Sequence, residues 1–469
     1  MRSLVATLAL ALLVVTACGD DPGDDGPGPD PHADVLDRLN AVAGVTATEW
    51  RPPAEWEGRL EGYRYFDLWF TLPIDHADAA AGTFQLYAAL MYRADEAPLT
   101  VHVGGYEAGW RRYLTEPAAL IEGNQLSLEY RFYGRSVPEA GIPWPKLRIQ
   151  QFAADEHEVL GRLAPILAGR RIHTGGSKGG VHSLQYAQLH PEDVDGVVAY
   201  VAPIMTALPD HRWDGLFDRI GTPACKAALR ALAREMLVRR DALTAQAEAE
   251  EGVTYAVAGA DHAVETAIVE LEFGFWMTLG EPACADLPAA DQVAALGDAD
   301  LFAYLEWVGS PAAYGDQALA SSGSQYIYQD HVEFGYPVWD HGYLDDLLRF
   351  SYEDWSAYLP AGEPLPFDPA LQLSLRDWVK DSAEHILVVD GEWDPWAAGA
   401  VEVAPGRDAA HRWVARGSHW STHIATLGEE DQAAAIASLR RWAGLGDRAR
   451  RPAPRQPLAP IDSLGPPEP

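Results

Sequence analysis

Cysteine is scarce in this chain of 469 residues, with three in all. Cys18 sits near the amino terminus; Cys225 and Cys284 stand in similar frames, Gly-Thr-Pro-Ala-Cys and Gly-Glu-Pro-Ala-Cys. Neither of the latter has histidine or carboxylate neighbours at metal-ligand spacing, which argues against a zinc site. In an oxidising compartment they would most economically form one disulfide; the other reading is two free, buried thiols. Basic residues are also few, 35 Lys and Arg against 69 Asp and Glu for a net charge of -34. That balance excludes nucleic acid as a partner and direct adsorption to anionic lipid; its plain consequence is solubility. Beyond the amino terminus no apolar run reaches the ~18 residues of a membrane span. What is abundant is core material, 48% hydrophobic residues with 16 Trp and 19 Tyr. A chain this long is expected to form one large domain with an insertion, or two domains.

The amino terminus carries its own signal. Met1-Arg-Ser precedes an apolar run from Leu4 to Val15, and small residues then lead to Cys18. This pattern reads as a bacterial lipoprotein leader, cleaved before Cys18 with the thiol lipidated; the alternative is an ordinary secretory leader with an incidental cysteine. Either reading exports the protein, to the periplasm or the cell surface. The acidic Gly- and Pro-rich stretch that follows has nothing with which to build a core and is expected to be an extended tether.

From Tyr63 short apolar runs alternate with turn signals. Tyr65 to Leu72 and Thr83 to Tyr92 read as antiparallel strands, and Leu99 to Val103 as a compact buried strand ending in Gly104-Gly105-Tyr106. Gln125 to Gly134 reads as another strand, a helix is expected from about Lys146 to Leu167, and Val197 to Pro203 is a strand of the buried parallel type. Strand and helix in alternation mean a parallel sheet wrapped by helices. After Met205 the pattern turns helical: Leu229, Leu232, Met236 and Leu243 recur at helical spacing, with further helices over His262 to Trp276 and Asp298 to Val308. Sheet signals resume at His385 and again at Ala410. The expected division is a leader over 1–18, a tether over 19–48, a sheet core over 49–205 and 376–450, a helical cap over 206–375 and a Pro-rich tail over 451–469.

Within this frame Thr174-Gly-Gly-Ser-Lys-Gly-Gly180 places Ser177 in a Gly-x-Ser-x-Gly turn between a strand and a helix. Such a turn presents a strained, exposed hydroxyl at a helix N-terminus, although glycine-rich turns without function also contain serine. Serine chemistry needs a base for the hydroxyl and a carboxylate to orient that base. Asp394 and His419 lie just after predicted strands, and the order Ser177, Asp394, His419 is that of an α/β-hydrolase. Asp390 lies closer to its strand, His411 falls inside one, and His423 is expected in the following helix, so these are the weaker candidates. Oxyanion donors are sought in the amide of Lys178 and in Gly105 or Tyr106, where the alternative is a plain loop. Glu129 and Arg131 stand among apolar residues; they read either as an ion pair bracing a strand end or, for Glu129, as an acid facing the cleft.

Several blocks resemble the secreted prolyl tri- and tetrapeptidyl aminopeptidases, the PS-ten serine peptidases, distantly related to lysosomal prolyl carboxypeptidase. They are Gly62-Tyr-Arg-Tyr-Phe, Phe70-Thr-Leu-Pro-Ile-Asp-His76, Arg131-Phe-Tyr-Gly134, Thr174 to Gly180, Asp195 to Pro203 and Trp393-Asp-Pro-Trp396. The resemblance implies Ser177 as nucleophile, Asp394 as orienting acid and His419 as base. Family members read Asn-His-Gly-Ala where this chain has Ser418-His-Trp-Ser421, so the histidine loop differs.

The expectation is an α/β-hydrolase fold with a largely helical cap, acting on peptide substrates as a serine exopeptidase, with no metal or organic cofactor. Glu129 is the candidate acid for the substrate ammonium. Trp393 and Trp396, with Tyr106, are candidates for a proline pocket, core packing being the alternative. An esterase or lipase on the same triad, and a non-catalytic binding protein on the same scaffold, are the rival readings.

Overall fold

The computed structural model describes residues 33–51, 61–108, 114–352, 355–360, 366–404, 410–415, 419 and 421–446. The leader with Cys18, the expected tether up to residue 32 and the tail lie outside the described residues. Over 33–48, where the tether is expected to continue, the chain instead forms helix Val35–Asn40 and the start of strand Val45–Trp50, because Val35 and Leu39 are buried in the core.

Nine strands form one sheet: β1 (Val45–Trp50), β2 (Arg64–Pro73), β3 (Thr83–Tyr92), β4 (Leu99–Val103), β5 (Asn124–Leu128), β6 (Arg171–Gly176), β7 (Gly196–Tyr200), β8 (Ile386–Gly391) and β9 (Ala410–Ala415). β2 alternates because only one residue in two faces the core: Leu68, Phe70 and Leu72 are fully buried. It pairs antiparallel with β3 from Arg64↔Tyr92 to Pro73↔Thr83, the hairpin expected from the turn at Pro73. β4, β6, β7 and β8 are parallel and covered on both faces; β7 and most of β8 therefore read as apolar runs, while β6, Arg171-Ile-His-Thr-Gly-Gly, buries the polar His173 and Thr174.

The spatial order is β1-β2-β3-β5-β4-β6-β7-β8-β9. After β3 the chain skips one place to lay down β4, returns to insert β5, then crosses β4 to start β6. This reversal makes the carboxyl ends of β4 and β6 the topological switch point, the position at which open α/β sheets bind ligands. Strand order, parallel direction and the strand-to-helix turn at Ser177 together make this the α/β-hydrolase fold.

Between β7 and β8 the chain is helical. Helix Pro223–Val238 starts at Thr222, whose Oγ1 accepts from the Cys225 amide at 3.3 Å, with proline in the first turn. Leu229, Leu232 and Met236 bury one face of this helix against Ile268, Phe275 and Trp276, in a core separate from that of the sheet. The disulfide Cys225–Cys284 ties this helix to the turn after helix Leu271–Thr278, with Cα atoms 5.4 Å apart.

Element edges differ from the sequence reading where backbone geometry intervenes. β5 stops at Leu128 instead of running to Gly134, because Phe132 takes a left-handed conformation (φ 63) and Tyr133 N bonds back to Tyr130 O at 3.1 Å. The helix expected over 146–167 spans Ile149–Leu163. The helical run over 262–276 is two helices, Ala260–Val269 and Leu271–Thr278, meeting at Glu270. The last helix starts at Glu429, so His423 caps the short turn Ile424–Thr426 and is not on that helix.

Candidate active site

Ser177 links β6 to helix Lys178–Leu189 with φ 49 and ψ -126. A non-glycine residue there costs roughly 1–3 kcal/mol, and such strain persists only where the surroundings over-determine it. Here they do. Ser177 N donates to Tyr200 O at 2.9 Å on β7, and Val181 N donates to Ser177 O at 3.0 Å. A Cβ on Gly179 would lie 2.0 Å from the Val103 carbonyl oxygen, so only glycine lets the helix press against β4.

The loop after β4 meets the first turn of this helix. Gly105 has φ 87, and a Cβ on it would lie 2.9 Å from the Gly179 nitrogen. The loop is fastened from behind: Tyr106 O accepts from Tyr130 N at 2.9 Å, and Ala108 N donates to Glu129 Oε2 at 3.0 Å. Among the described residues the amide hydrogens of Gly105, Tyr106 and Lys178 donate to nothing. Three unengaged amides beside a strained serine are the raw material of an oxyanion hole.

Asp394 follows β8 and caps the turn Pro395–Gly399, its Oδ1 accepting from Trp396 N at 2.9 Å. The residue is 2% exposed, and Oδ2 is buried without a partner. Burial drives its pKa well above the carboxylate range and the Asp390 charge adds to this, while the Trp396 amide opposes it. His419 is half-buried beside the end of helix Leu271–Thr278; a Cβ on Gly280 would come 3.1 Å from its Cδ2. Burial lowers its pKa, with the Met277 backbone opposing, and its Nδ1 is buried without a partner. Asp394 and His419 thus each carry one unsatisfied atom of complementary kind. No hydrogen bond joins Ser177, Asp394 and His419 among the described residues. The competitors have partners of their own: Asp390 Oδ2 accepts from Arg412 Nε at 2.6 Å, although its Oδ1 is buried without a partner, His423 Nδ1 lies 2.7 Å from Ser421 O, and His411 stacks on Trp413 in β9.

Glu129 sits at the end of β5, 2% exposed. Its Oε1 accepts from Ser136 N at 2.7 Å and Ser136 Oγ at 2.8 Å, and its Oε2 holds the Ala108 amide. The pair with Arg131 does not form, since Arg131 pairs with Asp155. Trp393 stacks on Trp276 at 5.6 Å. Trp396 packs edge-on to Phe273 at 4.8 Å and donates from Nε1 to Met277 Sδ at 3.1 Å. Both rings therefore lie between the β8 loop and the cap. Tyr106 meets Tyr133 edge to face and Tyr326 at a tilt.

The sequence reading missed the Lys178 side chain, having used only its amide. The ammonium is buried among Tyr106, Tyr130 and Tyr133 and donates to Gly105 O, Tyr133 Oη and Gln329 Oε1. The available signal was a lysine set between the elbow glycines, at the first position of a helix that packs against the sheet. Among the described residues, the groups with spacing for a metal ion are His157, His190, Glu192 and Asp193, beyond the far end of helix Lys178–Leu189. Asp193 there already accepts from Arg171 and Tyr186, and the cluster has no part in the serine chemistry.

Comparison with known proteins gives a family match, a relative and similar solved structures. A family model described as PS-10 peptidase S37 matches residues 29–464. The prolyl tri/tetrapeptidyl aminopeptidase of Streptomyces mobaraensis is 31% identical over 473 residues, covering 99% of this chain and 96% of that one. Among solved structures, proline iminopeptidase of Mycobacterium smegmatis is 16% identical with a TM-score of 0.39, over 80% of this chain and 98% of that one. Epoxide hydrolase A of Mycobacterium thermoresistibile is 18% identical with a TM-score of 0.33, over 76% and 95%. By the family match and the identity across nearly its whole length, this chain is a serine-type peptidase and belongs to the PS-10 peptidase S37 family.

Proposed function

We propose that the protein is an exported serine exopeptidase that releases tri- or tetrapeptides from free amino termini, with a preference for proline at the cleaved bond. The observation that carries this reading is the strained Ser177 elbow set against three unengaged amides. The 31% identical relative supports the substrate class.

In the proposed reaction His419 takes the Ser177 proton as Oγ attacks the scissile carbonyl. The oxyanion is received by the amides of Lys178 and of Gly105 or Tyr106. His419 then gives its proton to the departing amine, leaving an acyl-enzyme, and a water deprotonated by His419 releases the peptide. The reading requires His419 Nδ1 to donate to Asp394 Oδ2, which would satisfy both orphaned atoms at once. It would also favour the ionised Asp394 carboxylate, since an N–H donor to the charged form opposes the penalty of burial. Trp393 and Trp396, between the β8 loop and the cap, are the proposed walls for proline. Export and lipidation at Cys18 rest on the leader sequence alone.

The test is hydrolysis of Ala-Ala-Pro anilide with a free and with a blocked amino terminus. Preference for the free form supports the exopeptidase; equal rates overturn it. Loss of acyl-chain labelling in Cys18→Ser, with export retained, would support the anchor.

A further inference from the structure

Three parts of the molecule converge on one ammonium group. Lys178 is the first residue of the helix that follows Ser177, and its side chain turns inward until the residue is only 5% exposed. Its Nζ donates to Gly105 O at 2.7 Å in the loop after β4, to Tyr133 Oη at 2.9 Å after β5, and to Gln329 Oε1 at 2.7 Å in the cap. All three ammonium protons are engaged. The rings of Tyr130, Tyr133 and Tyr106 surround the charge at 4.2, 4.3 and 4.9 Å.

Burying an ammonium is costly, and a methionine would fill this volume without that cost. Burial pulls the Lys178 pKa down to about 7, opposed by the charges of Asp330, Glu333 and Glu107. The site therefore gains something from a donor that packing alone does not need. We propose that Lys178 is a positioning residue for the oxyanion hole: its ammonium holds the Gly105 carbonyl and, through Gln329, makes the alignment of that loop depend on a seated cap.

The geometry follows from the peptide unit. The Gly105 carbonyl and the Tyr106 N–H belong to one planar trans peptide and point in opposite directions. Holding the oxygen therefore fixes the direction of the hydrogen, and that hydrogen donates to nothing else among the described residues. Gly105 is at φ 87, a conformation open to glycine, so the peptide needs an external hold to keep one orientation. The cap side is fixed in turn. Gln329 Oε1 also accepts from Tyr133 Oη at 2.9 Å, and its Nε2 lies 3.3 Å from both Tyr130 Oη and Glu333 Oε1. Gln329 ends helix Ser324–Gln329 just where the chain widens into a π-helical turn over Asp330–Phe334, the kind of irregularity that recurs at functional sites.

The inference rests on Ser177 as nucleophile, and the experiment separates the two. Lys178→Met keeps the volume and removes the charge. On the free-amino Ala-Ala-Pro anilide it is expected to lower kcat by about 10²–10³-fold, the loss typical of a misdirected oxyanion donor, with KM within about threefold. Gln329→Met, which leaves the lysine in place, is expected to lower kcat by roughly tenfold, and the double variant should be no worse than Lys178→Met, because Gln329 acts through the ammonium. Thermal unfolding of each variant reports whether it folds. If Ser177→Ala abolishes turnover while folded Lys178→Met keeps kcat within about threefold of the parent, the clamp is overturned and the nucleophile stands. Should Lys178→Met fail to fold, Gln329→Met decides, and an unchanged kcat there overturns the proposal. Retention of turnover by Ser177→Ala overturns both.

Discussion

Arg131 and Asp155 form a two-point ion pair, Nε to Oδ2 at 2.7 Å and Nη2 to Oδ1 at 3.0 Å, with both side chains fully buried. Arg131 also donates to the carbonyls of Pro73, Ile74 and Lys146, so a single guanidinium pins the turn after β2 to helix Ile149–Leu163. Removing one partner strands the other charge in the core. Asp155→Ala is expected to cost about 3–5 kcal/mol of folding stability, read from urea unfolding. A loss under about 1 kcal/mol would show that the pair is dispensable.

Ser177→Ala should lower peptidase turnover by on the order of a millionfold, because nucleophile and base act as a unit. His419→Ala should match it, and both variants should resist a fluorophosphonate probe. Retained labelling of Ser177→Ala would place the nucleophile elsewhere.

His419 must be neutral to accept the serine proton, and its burial favours the neutral form. Lowering the pKa of a base shifts the rising acid limb to lower pH. The limb of kcat/KM should therefore have its midpoint below ~6.5, the ordinary histidine value. A midpoint clearly above that would show that an ionised Asp394 at Nδ1 outweighs the effect of burial.

Glu272 is buried beside Arg230 and its pKa is raised to about 7, chiefly by burial. The folded state then keeps a proton that the unfolded chain loses near pH 4.5. This group's contribution to stability is complete at low pH and declines as pH rises towards 7, by on the order of 1–3 kcal/mol. Glu272→Gln should show a shallower fall in unfolding free energy between pH 5 and 7 than the parent. Parallel curves would refute the assignment.

The Cys225–Cys284 bridge closes a loop of sequence separation 59. Chain entropy alone assigns it about 4 kcal/mol, and measured bridges give about 2–4. Reduction, or Cys225→Ser with Cys284→Ser, should lower Tm and leave Ser177 reactive towards a fluorophosphonate probe in the cold. An unchanged Tm would show that the cap core holds without it.

Much of the site's frame was legible because it depends on local sterics. Only small residues permit a turn as tight as that at Ser177 and an approach as close as Gly179 to Val103, so the glycines of Thr174 to Gly180 announce the elbow. The alternation in β2 and the apolar runs of β7 and β8 likewise report which faces are covered. The partners of buried charges were not legible in the same way. Arg131 stands two residues from Glu129 yet pairs with Asp155, because β5 ends at Leu128 and the backbone then turns each side chain to a different neighbour.

What the sequence determined by itself is therefore the succession of strands, the strained serine and the helical character of the segment between β7 and β8, since each follows from steric preference and apolar periodicity over a few residues. What only the tertiary structure decided is the contact of distant groups: the ammonium of Lys178 on Gly105 and Gln329, and Glu129 on Ala108 and Ser136. A buried charge takes the donors and acceptors that packing brings within about 3 Å, and segments far apart in the chain supply them with no trace in local pattern.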